Sequence, residues 1–181
     1  FSWYAGVPCS FLTPFINCVI QNPQLTYLSS PNEGDAVAAA AGAWIGGVPS
    51  IAMMQNSGLG NAVSPLTSLT HTFRIPILLI CTHRGAPGVE DEPQHELMGK
   101  ITGRLLKTMD IETAAFPTGK TDIGLVLKNV EEHTKITRRP YALLMGKDTC
   151  APQALIANTP TPRTRNAAVD GRGHNRHPDS Y

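Results

Sequence analysis

Residues 30 to 61 read Ser30-Pro-Asn-Glu-Gly-Asp35, then Ala36-Val-Ala-Ala-Ala-Ala-Gly-Ala-Trp44, and after a break Ser50-Ile-Ala-Met-Met54 and Gln55-Asn-Ser-Gly-Leu-Gly-Asn61. Ser30 or Asn32 suits a helix N-cap, and Glu33 and Asp35 suit the positive end of the helix dipole. The body of that helix is nearly all small and apolar, and Gly46-Gly47 stops it. Ser50 to Met54 has the length and character of a buried strand, and it runs into a polar, glycine-bearing loop. Helix, strand and loop in this order form one unit of an α/β fold. Glu33 has no lysine or arginine near it in the chain, which sets it apart from an ordinary surface acid.

Outward from this unit the same alternation continues. Phe1 to Gly6 reads as a strand, and Phe11 to Val19 has helical spacing until Asn22-Pro23 stops it. Leu25 to Ser29 is strand-like, Asn61 to Leu69 a short helix, and Ile75 to Cys81 a continuous apolar strand. Beyond a polar loop from His83 to His95, Glu96 to Met109 is helical and Glu112 to Phe116 a strand. Thr121 to Thr137 is an amphipathic helix with Ile123, Val126, Leu127 and Val130 inward, and Tyr141 to Met145 is the last strand. About six strands alternating with helices imply an open parallel sheet covered by helices on both faces. In such sheets ligands bind at the carboxyl ends of the strands. The loops Gly6 to Ser10, Gln55 to Asn61 and His83 to His95 all follow strands and are expected on that edge, together with Glu33.

The 181 residues suffice for one core, expected over residues 1–149, with residues 150–181 a disordered tail or truncated linker poor in large aliphatics. A formal charge of +1 lacks the basic excess of a nucleic-acid binder. No apolar run has the length of a membrane span, and no signal-peptide pattern opens the chain, so the cytoplasm is the expected compartment. Cys9, Cys18, Cys81 and Cys150 form no metal-binding spacing, and Cys18 and Cys81 are expected to be buried thiols. The tail pair His174 and His177 lies where no helix is expected, which disfavours a metal site. His71 and His133 are expected on exposed helix faces.

Gly58-Leu-Gly60 lacks the third glycine of a dinucleotide fingerprint, and no Gly-Lys-Ser/Thr completes a phosphate loop. The segment Arg84-Gly-Ala-Pro-Gly-Val-Glu-Asp-Glu-Pro-Gln-His95 carries three acids, an arginine and a histidine, and long loops of this kind are often functional. Histidine changes charge near neutral pH, which makes His95 the best proton-handling candidate.

Taken together, Gly6-Val-Pro-Cys-Ser10, Asn32-Glu-Gly-Asp-Ala-Val37, Gln55-Asn-Ser-Gly-Leu-Gly-Asn-Ala-Val63, Pro65-Leu-Thr-Ser-Leu69, Ile75-Pro76 and the loop to His95 resemble the thiamine-diphosphate-dependent decarboxylases. Within that family the motifs are most similar to those of enzymes acting on phosphonopyruvate, with the sulfopyruvate decarboxylases next. The resemblance covers about the first 145 residues. It implies the pyrimidine-binding domain alone, because the Gly-Asp-Gly…Asn pattern of the diphosphate-binding domain is missing from this sequence. Magnesium and the diphosphate would then be held by a partner domain or subunit of the same enzyme, in a homo- or hetero-oligomer, and the substrate would be a small 2-oxo acid.

What the resemblance implies for single residues is specific. Glu33 stands beside the cofactor's aminopyrimidine and handles its proton. Gln55, Asn56, Ser57 and Gly58 line the cofactor pocket. His95 binds substrate or relays a proton, with Ser10 and Gln94 beside it. Arg84 is assigned to the substrate's anion from its charge alone. The small residues from Ala36 to Ala43 are expected to pack against a second subunit. Two positions depart from the pattern: Cys9 stands where Asp is common, and His83 and Glu90 stand where Trp and Lys are common. Three readings follow: a phosphonopyruvate decarboxylase half, a sulfopyruvate decarboxylase alpha subunit, or an inactive fragment that only associates with a partner.

Overall fold

Asn32 caps the central helix as expected: its Oδ1 accepts from the Asp35 backbone N–H at 3.0 Å, and its Nδ2 donates to Asp35 Oδ2 at 2.7 Å. The helix α2 runs over Glu33–Ile45 and ends at Gly46, followed by Gly47 with φ +86. In the computed structural model, which describes residues 1–119 and 121–156, the other elements follow from β1 (Trp3–Gly6), α1 (Thr13–Gln21), β2 (Thr26–Ser29) and β3 (Ser50–Met54). Then come α3 (Leu59–Ser64), β4 (Leu78–Thr82), α4 (Glu96–Thr108), β5 (Glu112–Ala115), α5 (Ile123–Thr137) and β6 (Tyr141–Met145). All strand pairs are parallel, in the order β2-β1-β3-β4-β6-β5.

The period-2 alternation of buried strands sorts their side chains into two cores. Ile51, Met53, Leu78, Ile80, Leu143 and Met145 face α1 and α5, where they meet Leu12, Ile16, Val19 and Val130. Ala52, Met54, Leu79, Cys81 and Ala142 face the other way, against Val37 and Ala40 of α2, Leu59 of α3 and Leu106 of α4. Helices therefore cover both faces. Ala36, Ala40 and Ala41 are fully buried in this chain, and Ser50 Oγ donates to the Ala40 carbonyl at 2.6 Å. The other side of the same stretch stays at the surface, with Ala38 and Gly42 exposed and Ala39 and Ala43 half-buried.

Several sequence expectations need correction. Cys18 is exposed rather than buried, whereas Cys81 lies in the core, where burial pushes its thiol up to about 12. His133 is half-buried, not exposed, because its ring packs edge-on against Tyr141 at 5.1 Å. Ile123 and Leu127 of α5 remain exposed over an apolar cavity of about 510 Å³ beside α1, while Val126 and Val130 reach the core. Helical spacing gives the face of α5 but not how closely each turn approaches the sheet. The expected helix from Asn61 to Leu69 continues as a wide π-type turn over Pro65–His71, beginning at a proline that lacks the N–H an α-helix would use.

Residues 151–156 were expected within a disordered tail, yet they lie along α1. Asn17 Nδ2 donates to the Gln153 carbonyl at 2.7 Å, and Gln21 Nε2 to that of Ala154 at 3.0 Å. The rest of the expected tail, with His174 and His177, falls outside the described residues. No helix among the described residues is long and apolar enough to cross a membrane.

Candidate functional site

The chain leaves β1 outward to β2 and returns to the other side of β1 as β3, so the loops after β1 and β3 diverge at a topological switch point. Parallel strands put every strand-to-helix loop on that one edge, and those loops carry Ser10, Glu33, Gln55 to Gly58, Arg84, Gln94 and His95. Hydrogen bonds and packing tie most of them into two groups, which the loop after β3 joins.

The first group surrounds Glu33. Its side chain opens α2 and is buried, with 8% of its surface exposed. Asn61 Nδ2 donates to Glu33 Oε2 at 2.8 Å. Oε1 faces Gly58 so closely that a Cβ added there would lie 1.9 Å from it. Gly58 has φ −86, which any residue adopts. Its lack of a side chain therefore serves space and not backbone conformation. No lysine or arginine forms an ion pair with Glu33 among the described residues.

The second group is built on the loop after β4. Arg84 holds Asp91 in a two-pronged ion pair, Nε to Oδ2 at 2.7 Å and a second contact from Nη2 to Oδ1. Asp91 also accepts from the backbone N–H groups of Gly85 at 3.0 Å and Glu92 at 2.9 Å. The Arg84 side chain, helped by these N–H groups, holds the Asp91 carboxyl well below the usual carboxylate range, and Asp91 in turn pushes Arg84 up. Arg84 also lies over the Phe11 ring at 4.8 Å and reaches Ser10 Oγ at 3.4 Å. The sequence expectation of an arginine free for an anion is therefore modified, since three acids follow it and the loop folds one of them back. Gly85 (φ +66) and Gly88 (φ +81) supply the left-handed turns for that return.

Asn56 is expected in the pocket lining but is fully buried beneath it. Its Nδ2 donates to the Arg84 carbonyl at 2.8 Å and to Thr102 Oγ1 at 3.1 Å, and its Oδ1 accepts from the Arg84 N–H at 3.2 Å. Gln55 and Ser57 stand nearer solvent, with Gln55 Nε2 donating to Ser57 Oγ at 2.5 Å. His95 is buried next to Gly85, and its Nδ1 has no hydrogen-bond partner among the described residues, while Gln94 is exposed.

Sequence reasoning missed Asn61 as the partner of Glu33, Asp91 as the partner of Arg84, and Gly99. A Cβ on Gly99 would come 1.7 Å from the Gly85 carbonyl oxygen, so α4 seats the loop by direct backbone contact. A glycine inside an otherwise good helix was the available signal for that contact.

Residues 3–110 match the family described as thiamine pyrophosphate enzyme, N-terminal TPP binding domain. The chain belongs to this family. It is 45% identical over 168 residues to a phosphonopyruvate decarboxylase of Streptomyces viridochromogenes, covering 93% of this chain and 41% of that protein. It is likewise 45% identical over 165 residues to a phosphonopyruvate decarboxylase of Streptomyces hygroscopicus, covering 89% and 40%. A sulfopyruvate decarboxylase subunit alpha of Methanocaldococcus jannaschii is 35% identical over 139 residues, which is 77% of this chain and 81% of that subunit. The chain thus spans about 41% of the length of the first of these relatives.

This TPP-binding domain fits the pyrimidine side of thiamine diphosphate. A buried carboxylate with no ion pair among the described residues, and with a glycine rather than a side chain beside its second oxygen, suits a neutral heterocycle with a ring nitrogen. Among the described residues no group of three His, Cys, Asp or Glu side chains is arranged to hold a metal ion.

Proposed function

We propose that this domain is the pyrimidine-binding half of a 2-oxo-acid decarboxylase that converts phosphonopyruvate to phosphonoacetaldehyde and carbon dioxide. The observation that carries this reading is Glu33, buried under Gly58 with no ion pair among the described residues, in a chain of this family. The choice of substrate is supported by the 45% identity to phosphonopyruvate decarboxylases. When bound, thiamine diphosphate supplies a nucleophilic carbon and an electron sink for the bonding pair that departing carbon dioxide leaves behind.

In this reading Glu33 exchanges a proton with the aminopyrimidine ring nitrogen, a role that needs a carboxyl kept out of water and away from fixed cations. Gln55, Ser57 and Gly58 border the heterocycle, and Asn56 acts from beneath by fixing the backbone at Arg84. Ser10, Arg84 and Gln94 border the substrate's anionic end, with Asp91 holding the guanidinium in place. His95, with an unpartnered ring nitrogen, delivers or accepts the proton that completes aldehyde release. Magnesium and the diphosphate are held by a diphosphate-binding domain or subunit, and the working enzyme is an oligomer of these halves. The small-molecule reaction needs no nucleic acid or membrane, in keeping with a cytoplasmic enzyme.

A second reading, a sulfopyruvate decarboxylase alpha subunit, is favoured by one observation: the match covers 81% of a relative whose name marks it as a separate subunit. The test is reconstitution with a diphosphate-binding half, thiamine diphosphate and magnesium, followed by aldehyde detection. Faster turnover of phosphonopyruvate is the expected result. Preference for sulfopyruvate transfers the assignment to the second reading. Turnover of neither, with the halves shown to be associated, leaves an inactive fragment that only associates.

A further inference from the structure

The proton exchange proposed for Glu33, on which this inference rests, requires its carboxylate to keep one orientation. A glutamate side chain is flexible, and its freedom must be removed by contacts. We infer that Asn61 is the positioning residue for Glu33: it holds Oε2 and leaves Oε1 for the cofactor.

Asn61 Nδ2 donates to Oε2 at 2.8 Å, and Gly58 leaves room for Oε1 on the other side. The Asn61 backbone also packs closely on the turn that carries Glu33. Its carbonyl oxygen lies 2.8 Å from where a Cβ on Gly34 would stand. The first turns of α2 and α3 therefore interlock twice, through Gly34 with Asn61 and through Glu33 with Gly58. Each interlock places a glycine where a side chain would force the other partner away.

The choice of an amide has a chemical reason. A lysine or arginine could hold the same oxygen, but its charge would favour the ionised carboxylate and oppose protonation. A neutral N–H donor fixes orientation with a smaller bias. An aspartate at this position would place two carboxylates in contact, and they could not both ionise. Asn61 is exposed while Glu33 beneath it is buried, so the amide is accessible to substitution without opening the core.

The full 181-residue chain, labelled with 15N, gives a readout independent of turnover. The Asn61 side-chain amide resonances are expected to move as Glu33 titrates and to stop moving in Glu33→Gln. Asp35 and Cys81 are titratable groups near Glu33 among the described residues, and the Glu33→Gln control separates their effects. In the reconstituted enzyme, Asn61→Leu should lower kcat about 100-fold, the scale of a misplaced catalytic group, with KM nearly unchanged. Asn61→Ser serves the same comparison if the leucine variant folds poorly. An amide that ignores pH, or moves equally in Glu33→Gln, overturns the pairing, and a normal kcat in the variants overturns the positioning role. Should even the unmodified enzyme turn over no substrate, the decarboxylase reading fails while the amide titration still decides the pairing.

Discussion

Glu33→Gln is expected to lower turnover by the reconstituted enzyme roughly 10²–10⁴-fold, the usual contribution of a general acid–base group. The substitution keeps the size of the side chain and its ability to accept the Asn61 hydrogen bond, but it removes the exchangeable carboxyl proton. Melting temperature should change by no more than a few degrees, because no ion pair is lost. The rate of aldehyde formation and a thermal melt on the same preparation check both halves of this statement. A variant that keeps near-normal turnover would remove Glu33 from its role. One that loses activity only by unfolding would make it a structural acid.

Gly58→Ala should be nearly as damaging to activity, for a steric reason. The added methyl would stand 1.9 Å from Glu33 Oε1 and 2.0 Å from its Cδ, so the carboxylate has to move. Displacement of a catalytic group by about 1 Å costs on the order of 100-fold in rate, and the overpacking itself costs about 1–3 kcal/mol of stability. The backbone at Gly58 accepts alanine, so conformational strain adds nothing. This makes the prediction separable. In a Glu33→Ala background the same Gly58→Ala change should cost little stability, because the clashing group is gone. An equal loss in both backgrounds would show that Gly58 is needed for some reason other than Glu33.

The fold was legible in the sequence wherever one rule dominated. β3 and β6 fall on the residues read as strands, and α2 lies between its expected cap and its glycine stop. Parallel strands buried on both faces write a continuous apolar run, and Asn32 and Gly46 write their own boundaries. Features that depend on distance between elements were not legible. Nothing local shows that the first turn of α5 stands off the sheet, or that Cys18 faces outward.

For the site the division is similar. Glu33 stood out because an acid entering so apolar a helix, far from any cation, needs a reason. Its partner Asn61 lies 28 residues away and is one polar loop residue among several, so only the approach of α2 and α3 reveals the bond. Arg84 showed its charge but not its neutralisation by Asp91, because which of three adjacent acids folds back depends on the turns at Gly85 and Gly88. Asn56 looked like a pocket residue, yet its amide matches the backbone groups of Arg84 and the Thr102 hydroxyl, and satisfying them buries it.

The central proposal is that this chain supplies the pyrimidine side of a shared cofactor site and that another domain or subunit supplies the metal and diphosphate side. Calorimetric titration of thiamine diphosphate with magnesium tests it most directly, first into this chain alone and then into its mixture with a diphosphate-binding half. The account predicts no saturable, magnesium-dependent binding by the chain alone, and saturable binding by the mixture that requires magnesium. Tight magnesium-dependent binding by the isolated chain would contradict it.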